Sequence, residues 1–152
     1  MNQTDPQVVQ TPMKTPFSTY IYAWLAVLIS FAILDGVWLG VVAMPLYTEY
    51  FEGLLREPFI TWPWLAFYVL YCMAVVFLAV RPALDKSVAA TALHGLILGA
   101  TAYGTYNLTA YSIVANWPLN MTLIDWLWGS VATMLLAIAG GVAARYRLRR
   151  LK

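Results

Sequence analysis

Four long apolar stretches run along the chain, separated by short polar breaks. The first extends from about Ser18 to Met44 and stops at Pro45. The second covers about Ile60 to Val80, opens with Trp62 and Trp64, and closes at Arg81-Pro82. The third covers about Val88 to Val114, and the fourth about Met121 to Ala144. Each reaches the roughly 20 residues an α-helix needs to cross about 30 Å of hydrocarbon. The pattern therefore predicts an all-α, polytopic membrane protein with four transmembrane helices. In the break from Pro45 to Pro58, Tyr47, Tyr50, Phe51 and Leu54 recur at helical spacing, while Glu49, Glu52 and Arg56 fall on other faces. This predicts a short interfacial amphipathic helix between the first and second spans. Residues 116–120, Asn-Trp-Pro-Leu-Asn, predict a tight uncharged turn with an interfacial tryptophan.

Outside the spans, residues 1–17 are polar and hold Pro6, Pro12 and Pro16, the composition of a disordered tail. Residues 18–144 form the transmembrane domain, and 145–152 a basic tail. The first apolar stretch is too long for a signal-peptide core and contains Asp35, which predicts that it is not cleaved.

Packing between such helices relies on close backbone approach, because lipid tails solvate leucine as well as a neighbouring helix does. Small residues recur every four positions in three spans. The first has Ala32, Gly36 and Gly40, and the third Gly95 and Gly99, with Ala100 and Gly104 on an adjacent face. The fourth has Gly129, Thr133, Ala137 and Gly141. These stripes predict helix contacts within one chain, and also admit a second copy or a membrane-complex partner. The second span has no such stripe and is bulkier, which predicts a peripheral place.

Composition agrees with this reading. Charged residues make up only 11% of the chain, against roughly 25% in soluble domains, too few to cover a water-facing globule. Charge placement then sets direction. Lys14, Arg81, Lys86 and the terminal Arg145, Arg147, Arg149, Arg150 and Lys152 fall on one side of a four-span chain, and Arg56 alone on the other. The positive-inside rule puts both termini in the cytoplasm. The terminal arginines are expected to grip anionic lipid headgroups rather than nucleic acid. A single cysteine, Cys72, and a single histidine, His94, predict no disulfide, no bound metal and no cofactor.

The candidate chemistry lies in the outer half of the bundle. Asp35 and Asp125 each precede a tryptophan by three residues, Trp38 and Trp128, on the same helix face. Counting residues at 1.5 Å each sets Asp35 about 13 Å and Asp125 about 6 Å from the outer ends of their spans. Asn107 falls between those depths and shares a face with Tyr103 and Tyr111, and Tyr106 adds a further hydroxyl. Together these residues predict a polar pocket lined with aromatics. A mid-membrane acid costs on the order of 3 kcal/mol to insert, so each is either a hydrogen-bonded helix pin or a functional group. His94, in the inner half, faces away from Asn107 and reads as a hydrogen-bonded interhelical residue. Tyr68, Tyr71 and Cys72 read as packing.

Particular segments also carry a resemblance: Leu34-Asp35-Gly36-Val37-Trp38-Leu39-Gly40, Arg81-Pro82-Ala83-Leu84, Gly104-Thr105-Tyr106-Asn107-Leu108-Thr109, and Trp117-Pro118-Leu119 leading to Asp125-Trp126-Leu127-Trp128-Gly129. In these the chain resembles DUF2177, a family of small bacterial membrane proteins without an established activity, over about Ile21 to Ala144. The resemblance implies a helical inner-membrane protein. It also implies that an aspartate often stands where Asn107 stands here, so this chain lacks one intramembrane acid. Three functional readings follow. The preferred one is a bundle binding or transporting a proton, cation or small amphipathic ligand. The others are an accessory or assembly subunit, and a membrane-embedded enzyme acting on lipid with the same acids as general acid and base.

Overall fold

A computed structural model describes residues 15–53 and 55–151. Residues 1–14 of the expected 1–17 tail, together with Leu54 and Lys152, lie outside the described residues, and Phe17 already belongs to the first helix. The described residues are mainly helical, with α1 (Phe17–Val37), α2 (Met44–Tyr50), α3 (Trp62–Ala74), α4 (Val88–Ile113) and α5 (Leu119–Arg149) joined by short irregular turns. Two π-helical segments, Trp38–Ala43 and Val75–Val80, extend α1 and α3. Phe17–Tyr50, Trp62–Ala83 and Leu119–Arg149 are each long and apolar enough to cross a membrane. α4 is poorer in large apolar residues, but its 26 residues include no Asp, Glu, Lys or Arg, and it packs along α5. The chain is an all-α membrane protein built on four rods.

The short helix expected after the first span is present as α2, but it continues the first rod instead of standing apart. Pro45 does not stop the helix, because the π turns just before it widen the hydrogen-bond ladder. Met44 donates its N–H to the Leu39 carbonyl, five residues back, and Pro45 then needs no donor of its own. The same device recurs in the other π segment, where Arg81 N–H reaches the Val76 carbonyl immediately before Pro82.

The rods alternate in direction. α4 and α5 run antiparallel in a register set by glycine. A methyl placed on Gly95 would lie 2.6 Å from Ala137 Cβ, one on Gly99 2.7 Å from the Gly129 carbonyl, and one on Gly141 3.0 Å from Thr91 Cγ2. A methyl on Gly129 would overlap the Tyr103 ring, and Thr133 is buried in the same seam. Gly104 lies under the Trp126 indole, which donates to the Ala100 carbonyl at 2.8 Å.

Gly36 and Gly40 differ from the expectation. Both are exposed, and a methyl on either would meet nothing within 4 Å. α1 instead buries Thr19, Ala23, Val27 and Phe31, spaced by four on another face, so its small residues look outward. The second span is likewise not peripheral. Cys72, Val75, Val76, Ala79 and Val80 are all at most 1% exposed and pack with Val27, Phe31 and Leu136 in one core. β-branched and small side chains there achieve with knobs what glycine does between α4 and α5.

That apolar core fills the half of the bundle near Arg81 and Arg145, here called the tail end. Arg145 is turned inward. Its Nη2 donates to the Ala83 carbonyl at 2.8 Å, to Thr91 Oγ1 at 2.8 Å, and to the carbonyls of Lys86 and Ser87. It continues the 129–133–137–141 stripe by one more step of four, so its side chain meets α4 and the turn before it. The lipid-headgroup expectation therefore fails for Arg145. Arg147 sits over the Tyr22 ring at 5.1 Å, and Arg149 and Arg150 are exposed.

Candidate functional site

At the opposite, loop end, the rods separate around a cavity of about 660 Å³. Asp35, Trp38, Tyr103, Tyr106, Asn107, Asp125 and Trp128 all line it. Tyr111 does not; it is 46% exposed. Each four-residue step along a helix drifts about 40°, so two steps from Tyr103 carry Tyr111 off the lining face.

Each acid has one hydrogen-bonded partner from a neighbouring rod. Tyr68 Oη on α3 donates to Asp35 Oδ2, joining α3 to α1. Asn107 Nδ2 donates to Asp125 Oδ2 at 2.7 Å and to the Tyr103 carbonyl at 3.1 Å, tying α4 to α5. Asn107 is 1% exposed and Asp125 8%, whereas Asp35 is half-buried toward the cavity. An amide carrying two N–H donors satisfies both acceptors, which a carboxylate at position 107 would not do.

Aromatic rings form the rest of the wall. Trp38 and Trp128 stack with centroids 4.6 Å apart and planes 9° from parallel. The two Asp-x-x-Trp segments thus meet across the α1–α5 contact, each supplying an acid to the cavity and an indole to the stack. The floor is Tyr71, edge-on to Tyr103 at 6.1 Å and bonded through its hydroxyl to Thr133 Oγ1 at 2.7 Å. The roof is a chain of rings, with Phe51 4.9 Å from Trp117 and Trp117 5.9 Å from Tyr106.

Several lining residues fall outside the sequence expectation: Tyr47, Phe51, Leu55, Trp64, Phe67, Tyr68, Tyr71, Trp117 and Met121. Tyr68 and Tyr71 read as packing residues in the sequence because large apolar residues surround them. The signal for Tyr68 was its depth, since counting inward from the loop puts it near the level of Asp35. Tyr47 and Phe51 reach the cavity because α2 prolongs α1 and so keeps its facing. His94 lies elsewhere, half-buried in a shallow groove with Leu78, Ile97, Leu98 and Thr101. Among the described residues it makes no side-chain hydrogen bond, and Thr101 and Thr105 bond to their own helix instead.

Eleven of the eighteen lining residues are aromatic, two are carboxylates, and none is Lys, Arg or His. The site is thus an aromatic box whose wall carries two carboxylates beside hydroxyl and indole N–H groups.

The family profile described as predicted membrane protein (DUF2177) matches residues 20–142. The chain belongs to that family. No curated protein matches the chain, and no solved structure does. The DUF2177 segment takes in the whole lining, from Asp35 to Trp128, and both stacked indoles. It ends before Arg145, so the basic end of α5 lies beyond the family's matched region.

Proposed function

We propose that this DUF2177 protein is a membrane-embedded binding protein for a small organic cation, held in the loop-end cavity. One observation carries the reading: a cavity of about 660 Å³ walled by aromatic rings and two carboxylates, with no cationic side chain among its lining residues. An ammonium group there gains attraction from ring faces and acid oxygens together, in surroundings that screen it weakly. Pockets of roughly 300–1,000 Å³ suit single small ligands. A role confined to helix packing needs the Asp–Tyr and Asp–Asn bonds but not the open volume beside them. Transport fits less well than binding, because the tail-end half is filled by Val27, Phe31, Val76, Val80 and Leu136, which offer a cation no polar exit.

The chain would sit in the bacterial inner membrane with both termini in the cytoplasm. Residues 18–144 would be the membrane unit, with cytoplasmic tails on either side. The cations support this direction: Arg81, Lys86, Arg147, Arg149 and Arg150 lie toward the tail end, and Arg56 toward the loop end.

The test is a fluorescence titration of the protein in lipid nanodiscs, read through its tryptophans. Three isosteric probes are compared: 2-naphthylethylammonium, 2-naphthylethanol and 2-naphthylacetate. The cation is expected to bind about tenfold or more tightly than the alcohol, and the anion not measurably. Equal binding of all three would refute charge recognition. In the Asp35→Asn/Asp125→Asn double variant the preference for the cation should vanish.

A further inference from the structure

The four rods form a ring in the order α1, α3, α4, α5, and the walls of that ring are not equal. α1 meets α3 through Phe31 edge-on to Tyr68 at 4.7 Å and through the Asp35–Tyr68 bond. α1 meets α5 through the Trp38–Trp128 stack. α4 meets α5 along the glycine seam and the Asn107–Asp125 bond. The fourth wall is different. α3 closes on α4 chiefly through the π segment Val75–Val80 below it, while its Trp62–Ala74 portion packs on α1. Above the Tyr71–Tyr103 floor, the side of the cavity between α3 and α4 is left unclosed. Trp64 and Phe67 on α3 and Tyr106 on α4 line the cavity and are nonetheless 50%, 45% and 60% exposed. These rings stand at the rim of an opening that would face hydrocarbon with α3 and α4 both set in a bilayer. The loop-end mouth, by contrast, is roofed by Phe51 against Trp117 and Trp117 against Tyr106.

We infer that the cavity is filled sideways from the bilayer, through the gap between α3 and α4, and that its occupant is a single-chain cationic amphiphile. The ammonium head sits among Asp35, Asp125 and the ring faces, and the hydrocarbon chain leaves past Trp64, Phe67 and Tyr106 into lipid. An amphiphile suits this shape better than a compact water-soluble cation does. Its head satisfies the acid-lined interior, while its chain occupies an apolar opening that otherwise has lipid as its only neighbour. The inference rests on the cation-binding reading and adds the chain and the route.

The experiment is photo-crosslinking in phosphatidylcholine nanodiscs with dodecylammonium carrying a diazirine at mid-chain. Adducts are mapped by mass spectrometry. The expected result is labelling of residues 64–71 and 102–106, lowered about tenfold by excess 2-naphthylethylammonium in the unaltered protein and by a similar factor in Asp35→Asn/Asp125→Asn. The competition arm does not depend on the double variant folding. Adducts confined to Phe51, Leu55 and Trp117 would overturn the lateral route while leaving the cation site intact. Labelling of all lipid-facing helix surfaces, unaffected by competitor, would overturn the amphiphile as occupant. Failure of 2-naphthylethylammonium itself to bind would sink the cation-binding reading, and this inference with it.

Discussion

Asn107 divides its two amide hydrogens between the Tyr103 carbonyl of its own helix and Asp125 of the next. Asp125 is far more buried than Asp35, so removing the amide leaves a largely shielded carboxylate without its donor. Asn107→Leu is expected to cost about 1–3 kcal/mol in detergent unfolding followed by circular dichroism. Tyr68→Phe also removes a donor, from Asp35, but that acid opens toward the cavity and water can replace the lost hydroxyl. Its cost should be smaller, about 0.5–1.5 kcal/mol. A larger loss for Tyr68→Phe than for Asn107→Leu would contradict the difference in burial between the two acids. The acids and Asn107 were legible in the sequence because polar groups in an apolar span are conspicuous. Tyr68 was not, because a tyrosine among large apolar residues looks like one more of them until its depth is matched to that of an acid on another rod.

At the level of single helices, glycine at a spacing of four announces a capacity for close contact without showing whether it is used. The α4 and α5 stripes are used, and the α1 stripe is not. Gly36→Ala and Gly40→Ala should therefore raise stability by up to about 1 kcal/mol through helix propensity alone. Gly95→Ala and Gly129→Ala should lower it by about 1–3 kcal/mol through overpacking, in the same unfolding assay. The sequence could not separate the cases, since which face of α1 turns inward is decided by Val27 and Phe31 meeting α3 and α5. Pro45 taught a similar lesson: the local rule ends a helix there, but one π turn upstream removes the conflict. Arg145 and Arg149 make a third contrast. Arg145→Gln weakens the bonds that clamp the α3–α4 turn and is expected to cost about 1.5–3 kcal/mol, while Arg149→Gln should be near neutral.

For the whole molecule, four apolar rods and the gathering of the polar cluster toward the loop end were readable from lengths and depths. The volume and openness of the cavity were not, because they depend on how far α3 leans from α4, a property of no single segment. The cation asymmetry leads to a topology prediction. A fluorescent protein fused after Lys152 should fold and fluoresce on the cytoplasmic side, and a periplasm-active phosphatase fused there should be silent. A phosphatase signal at the C-terminus would reverse the orientation. The tryptophan stack has a use of its own. Two indoles stacked 4.6 Å apart with nearly parallel planes are close enough to share their electronic excitation, and where their in-plane transition axes are twisted they should give a pair of circular dichroism bands of opposite sign. Trp38→Phe or Trp128→Phe would each erase the pair. The protein thus contains an optical gauge, needing no dye, of whether α1 and α5 stay together when the cavity is filled.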